Sequence, residues 1–274
     1  MFQEQWSGIN YVAVERATGL EARLQNVLDK GGEVWAVGDV HGFSEHLKLL
    51  LKRIQPSPST EVVLLGDLID RGPASHEVVA LAREHPHLHA IKGNHEAVFA
   101  QAIAANLIGG NGSRKHSKTY TDWSTMFGGN CTENGYKVTW GDQAEVKMFE
   151  DAMWLNALPE IIILDRWILC HAGIDPRKEL NEQSGDDLLW TRHFFDQTHG
   201  IYDPMRTVVH GHMVTGKLDE GKWGKPHASN LRLPDGRHAR IGIDTSAYSK
   251  SSGTLTAIKL DMSPEPCFIY SDGQ

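Results

Sequence analysis

Residues 34–54 read V-W-A-V-G-D-V-H-G-F-S-E-H-L-K-L-L-L-K-R-I, and their reading decides the fold. The run 34–38 is apolar and too short for a helix. From Ser44 the apolar positions Leu47, Leu50, Leu51 and Ile54 recur at helical spacing, with Ser44 available as the cap. A strand, a loop and a helix follow from this. The pattern then repeats. Glu61 to Leu65 (E-V-V-L-L) reads as another buried strand ahead of a helix over 74–84, and a third strand near 87–91 leads into a helix from about Asn94. Strands alternating with helices of this length build a parallel sheet with helices packed on it. In such sheets ligands sit beyond the carboxyl ends of the strands.

The loops at those ends carry chemistry. Asp39 and His41 stand one residue apart in G-D-V-H-G, so on extended backbone both side chains fall on one face and can meet one ion. Taken alone, the triplet is a weak signal and reads more readily as a turn aspartate beside a surface histidine. The second strand ends in G-D-L-I-D-R-G-P (66–73) and the third in G-N-H-E (93–96). Two later apolar runs end the same way, W-I-L-C in His171 and T-V-V in His210-Gly211-His212. Five strand ends bearing metal-competent or acid–base side chains make a site, and the glycines suit a backbone that turns sharply around an ion.

Further along, residues 109–141 are rich in Gly, Asn, Ser and Thr with sparse, aperiodic apolar positions, which predicts a loop-rich insertion, either a substrate-facing flap or a plain excursion. A helix is expected over 145–158, then a hairpin of 161–164 and 167–170 about Asp165-Arg166, and later strands at 207–209, 239–243 and 254–260 that suggest a second sheet. No segment reads as an interdomain linker, so a single domain over 1–274 is expected.

Composition narrows the function. A net charge of −8 argues against a nucleic-acid binder with a broad basic surface, so an anionic substrate must be held by local cations. No stretch approaches the apolar length of a membrane helix, and the N-terminus lacks a basic-then-apolar signal pattern, which predicts a cytoplasmic protein without a membrane partner. Cys131, Cys170 and Cys267 are too scattered for a zinc knuckle or redox pair and read as reduced thiols. His85, His87 and His89 are expected to face solvent.

In this order and spacing, the five segments resemble the metallophosphoesterases of the phosphoprotein phosphatase type, especially small bacterial and phage serine/threonine protein phosphatases. The resemblance runs from about Val34 to Leu260. It implies a layered α/β/β/α sandwich and two divalent metal ions, with Asp39 and His41 on the first, Asp67 bridging, and Asn94, His171 and one histidine of H-G-H on the second. The family's Gly-His pair falls on Gly211-His212, which selects His212 over His210. Mixed His, Asp and Asn donors suit borderline ions, Mn²⁺ first, with Zn²⁺ or Fe as alternatives. A bridging carboxylate can hold two such ions about 3.5–4 Å apart, where they clamp a phosphate and acidify a water.

The resemblance further implies that Arg71 binds the phosphate, its planar fork matching the oxygens, and that Arg192 in L-L-W-T-R does the same. His95 matches the histidine that protonates the leaving group, and Asp70 the carboxylate that holds its imidazole. Tyr248 lies near a tyrosine of the family, although its flanks differ. The expected function is hydrolysis of a phosphoester, in a phosphoprotein or in a small molecule. Asp70 and Glu96 favour a serine/threonine protein phosphatase, because the symmetrical dinucleoside tetraphosphatases that resemble this chain usually lack that aspartate and read G-N-H-D. A catalytically inactive scaffold would be expected to lack some of these ligands, and here every one is present.

Overall fold

The computed structural model describes residues 14–109, 116–192, 200–219, 221, 223–249 and 253–272. Two five-stranded sheets face each other among these residues. The first has β1 (Glu33–Val37), β2 (Thr60–Leu64) and β3 (Leu88–Ala90) in parallel, with Glu33 opposite Thr60 and Val62 opposite Leu88. Their crossovers are α2 (Ser44–Ile54) and α3 (Ser75–Glu84), and β3 leads into α4 (Asn94–Gly109). The second sheet contains β4 (Ile161–Ile163), β5 (Trp167–Cys170), β6 (Thr207–His210), β7 (His227–Ala228) and β8 (Arg240–Gly242), with β5, β6 and β8 running parallel.

Alternation along each strand builds the layers. Val34 and Ala36 of β1 and Val63 of β2 point inward, where they meet Ile162, Leu169, Val209 and Ile241 of the other sheet and Leu24 and Val27 of α1 (Thr18–Asp29). Trp35, Val37, Val62 and Leu64 point the other way into the helical layer. On the far side of the second sheet, Ile168 and Val208 pack with Leu188 of α8 (Gly185–Trp190). Period two on strands buried on both faces explains why these runs read as continuously apolar. The order is helices, sheet, sheet, helix, the α/β/β/α sandwich expected.

Three expectations change. Residues 109–141 are largely helical: α5 spans Lys118–Met126 and α6 spans Gly129–Trp140, while 110–115 lie outside the described residues. The strand foreseen at 254–260 exists as β9 (Thr256–Lys259), but it joins the first sheet, antiparallel to β1, with β10 (Phe268–Tyr270) beyond it. Ser44 is the first helical residue of α2 and not its cap; its hydroxyl donates to Glu77 instead. The helix after the insertion is α7 (Ala144–Asn156), and the hairpin about Asp165-Arg166 is present. No helix among the described residues is long and apolar enough to cross a membrane.

Candidate metal centre and active site

The carboxyl ends of β1, β2 and β3 meet those of β5 and β6 at one edge of the sandwich. Backbone bonds lace the loops together: the amides of Val40 and His41 donate to the Asp67 carbonyl, and the Gly211 amide donates to the His171 carbonyl. Asp67 lies at the centre. Its carboxylate belongs to two clusters of metal-competent side chains, one with His41 and His95 and the other with His171 and His212.

Each imidazole is aimed by what its other nitrogen does. His41 Nδ1 is 3.0 Å from the Ile69 carbonyl and His171 Nδ1 is 2.8 Å from the Leu65 carbonyl. A carbonyl only accepts, so both Nδ1 atoms carry the proton and both Nε2 atoms present a lone pair. His171 Nε2 turns it to Asp67 at 3.3 Å and Asn94 Oδ1 at 2.8 Å. His212 Nδ1 approaches the same Asn94 oxygen at 3.0 Å, and its buried Nε2 has no hydrogen-bond partner. Burial pushes the pKa of His41, His171 and His212 down, keeping them neutral. Burial alone would raise Asp67, but at the acid pH where it titrates the protonated imidazoles of His171, His95 and His41 outweigh burial and hold the carboxylate below its usual range. Neutral imidazoles, one carboxylate, an amide oxygen and an unsatisfied nitrogen are a donor set fitted to divalent cations.

His210 is different. It is buried, its Nδ1 faces the Gly211 carbonyl, and burial pushes its pKa down to about 3. Asp39 turns both oxygens to the His212 amide at 3.1 Å and stands outside the two clusters around Asp67, close to both Asp67 and Asp244. Burial and those two charges raise its pKa. Gly211 must lack a side chain here, since a Cβ would lie 2.0 Å from Asp39 Oδ1.

Beside this centre Arg71 places Nη1 2.5 Å from His41 Nε2 and Nη2 3.1 Å from His95 Nε2, with its guanidinium carbon 4.6 Å from the Tyr248 ring centroid. Tyr248 in turn meets the His41 ring edge-on at 5.4 Å. His95 Nδ1 is 2.8 Å from Asp70 Oδ2. Burial draws the His95 pKa down, yet the Asp67 charge and the Asp70 hydrogen bond prevail and raise it. Arg192 is exposed, and its charge helps lower the His212 pKa. His87 and His89 depart from the solvent-facing expectation: both reach the buried Glu61, at 3.2 and 2.8 Å, at the far end of the first sheet.

The structure gives Glu96 of G-N-H-E a role and adds residues that motif reading passed over. Glu96 is fully buried and accepts the amides of Asp67, Leu68 and Gly93, each at 2.8 Å. Burial and the Asp67 charge push its pKa up to about 7, while these amides favour the ionised form. Asp244 lies beside Asp39, and burial pushes its pKa up to about 6. The sequence held its signal: I-G-I-D is one more apolar run ending in a carboxylate. Phe127 and Trp190 line the rim, their ring centroids 5.5 Å from His95 and 6.4 Å from His212 respectively.

Fold and site define a metallophosphoesterase architecture, and the comparisons agree. The model of the calcineurin-like phosphoesterase family matches residues 32–237, and the chain belongs to that family. Serine/threonine-protein phosphatase 1 of Salmonella typhimurium is 40% identical over 74 residues, 27% of this chain and 34% of the relative. The symmetrical bis(5'-nucleosyl)-tetraphosphatase of Paracidovorax citrulli is 38% identical over 90 residues, 32% of this chain and 30% of the relative. These matches span about a third of the relatives' length. The fold is shared with a serine/threonine phosphatase structure from Saccharomyces cerevisiae, at a TM-score of 0.56 and 13% identity over 92% of this chain and 87% of that one.

Proposed function

We propose that the chain is a metal-dependent phosphomonoesterase acting on phosphoserine or phosphothreonine in proteins. The observation that carries this is Asp67, shared by two clusters in each of which one imidazole, His41 or His171, is locked with its lone pair facing it. Asp39 and His41 would hold one divalent ion, Asn94, His171 and His212 a second, and Asp67 both; Mn²⁺ fits the donors. Bound there, the ions would acidify a water and neutralise phosphate charge.

The chain's own residues do the rest. Arg71 lies between the imidazoles of His41 and His95, where its fork can take two phosphate oxygens, and Arg192 adds a cation that acts on His212. His95, with Nδ1 bonded to Asp70, directs Nε2 to the departing oxygen and gives it a proton as the ester P–O bond breaks. Glu96 accepts the amides of Asp67, Leu68 and Gly93, keeping two loops in register.

The Asp70–His95 contact favours an alkyl ester with a poor leaving group. Similarity to the Paracidovorax citrulli protein keeps a dinucleoside tetraphosphate as the second reading. Both can be assayed side by side on purified protein with added Mn²⁺. Higher kcat/KM on phosphoserine or phosphothreonine peptides is expected. Preference for the dinucleoside tetraphosphate would move the assignment to the second reading, and inertness on both would reject phosphoester hydrolysis.

A further inference from the structure

Resting on His95 as the group that protonates the leaving oxygen, the inference concerns what aims it. We propose that Trp123 and Thr132, carried by the α5–α6 hairpin, are positioning residues for this proton transfer: they fix the plane of the Asp70 carboxylate, which in turn fixes the His95 ring.

Asp70 is fully buried, so its oxygens have only protein partners to choose from. The Trp123 indole Nε1 donates to Oδ1 and Oδ2 alike, 3.1 Å from each. Thr132 Oγ1 donates to Oδ1 at 2.8 Å. That leaves the free side of Oδ2 for His95 Nδ1, at 2.8 Å. The loop is gripped as well. The Asp70 amide donates to Thr132 Oγ1 at 3.0 Å and to Ser75 Oγ at 3.1 Å, and the two hydroxyls bond each other at 2.8 Å. A single Thr132 hydroxyl thus receives from Asp70's backbone and gives to its side chain.

The support is rigid. Trp123 is fully buried against Phe99 and Tyr120, with ring centroids 5.0 and 5.1 Å away, and Gly129 admits the indole where a Cβ would lie 2.2 Å from it. The Arg71 amide donates to the Gly128 carbonyl at 3.1 Å, so the same hairpin also anchors the neighbouring arginine. An indole N–H buried this deeply needs an acceptor, and it has taken the carboxylate that faces His95.

In the reaction, water gives one proton to solvent as its oxygen forms a bond to phosphorus, while the ester P–O bond breaks. The electron pair of the broken bond goes to the leaving oxygen, which takes the proton from His95 Nε2; solvent then returns a proton to His95. An alkoxide needs that proton and a nitrophenolate does not. Misaiming His95 therefore penalises one substrate selectively, whereas a general weakening of the fold penalises both.

The test uses Mn²⁺-loaded full-length protein, a phosphoserine peptide and p-nitrophenyl phosphate. Trp123→Phe keeps a ring in the core and removes the N–H; Thr132→Val keeps the shape and removes the hydroxyl; His95→Ala is the reference. Each of the first two should lower kcat on the peptide about tenfold, part of the roughly 10²–10⁴-fold that general acid catalysis supplies, with KM and metal content unchanged. On the aryl ester the loss should stay under about twofold, since that leaving group needs no proton. Thr132→Ser should restore the peptide rate, and if Trp123→Phe does not fold, the Thr132→Val and Thr132→Ser pair makes the same comparison. Equal losses on both substrates, or none, while His95→Ala remains selective would overturn the inference and leave the acid assignment standing. No selectivity in His95→Ala would overturn both.

Discussion

Arg71 holds a left-handed backbone at φ 67°, and it is not alone: His41, Asp67, Asp70 and His212 also have positive φ, at 49°, 48°, 72° and 60°. Side chains rarely adopt this region, and each instance costs on the order of 1–3 kcal/mol. Gln55 and Ser246 share the conformation, but five of the seven non-glycine cases among the described residues fall on the proposed metal, phosphate and proton-transfer residues, where sharp turns bring side chains from separate loops to one point. Arg71 aims its fork between two imidazoles, so Arg71→Ala should weaken phosphate binding and lower turnover while metal content holds. Arg71→Lys should not restore the wild type, because a point charge lacks the two-pronged geometry. Steady-state kinetics with inorganic phosphate as competitor, beside elemental analysis, check this; a lysine variant with wild-type constants would make Arg71 structural. The two histidines of H-G-H separate in the same way. His212→Ala should deplete bound metal and His210→Ala should spare most of it, since only His212 offers its nitrogens to the centre. The reverse outcome would exchange their roles.

Among the elements, β1, β2 and β3 with the helices that follow were legible because apolar runs of strand length alternate with helical spacing. Helices α5 and α6 were not. The buried face of α6 is Gly129, Thr132, Gly135 and Tyr136, mostly small or polar, so its helical period leaves no apolar trace. The buried positions of α5 are Tyr120 and Trp123, a short stripe in a polar segment. A cue was present in Ser117, whose hydroxyl caps α5 by accepting the Tyr120 amide. The sheet to which β9 belongs could not be read from order along the chain, because its pairing with β1 joins residues more than two hundred positions apart. Glu96 joins the loops that follow β2 and β3. One carboxylate on the first turn of α4 accepts amides after β2 and β3, and a net bond of about 1 kcal/mol each makes Glu96→Ala lose roughly 3 kcal/mol, with Glu96→Gln falling between. Thermal or urea unfolding measures the loss, and an alanine variant as stable as wild type would show that the amides find other partners.

Over the whole molecule, two sheets with parallel strands bring their carboxyl ends to a common edge, and the site is what collects there. Most of its members were legible because a carboxylate, amide or imidazole directly after an apolar run is visible in one dimension. Their partners were less so. Trp123, Thr132, Phe127 and Trp190 reach the centre from helix faces and helix ends, and such approaches exist only once the chain has folded. Asp67 is proposed to serve two ions at once. Elemental analysis of Mn²⁺-saturated protein, wild type beside Asp67→Ala, tests that most directly: two ions per wild-type chain, with occupancy lost at both positions in the variant, is the predicted result. A single ion per wild-type chain, or two retained in Asp67→Ala, would contradict it.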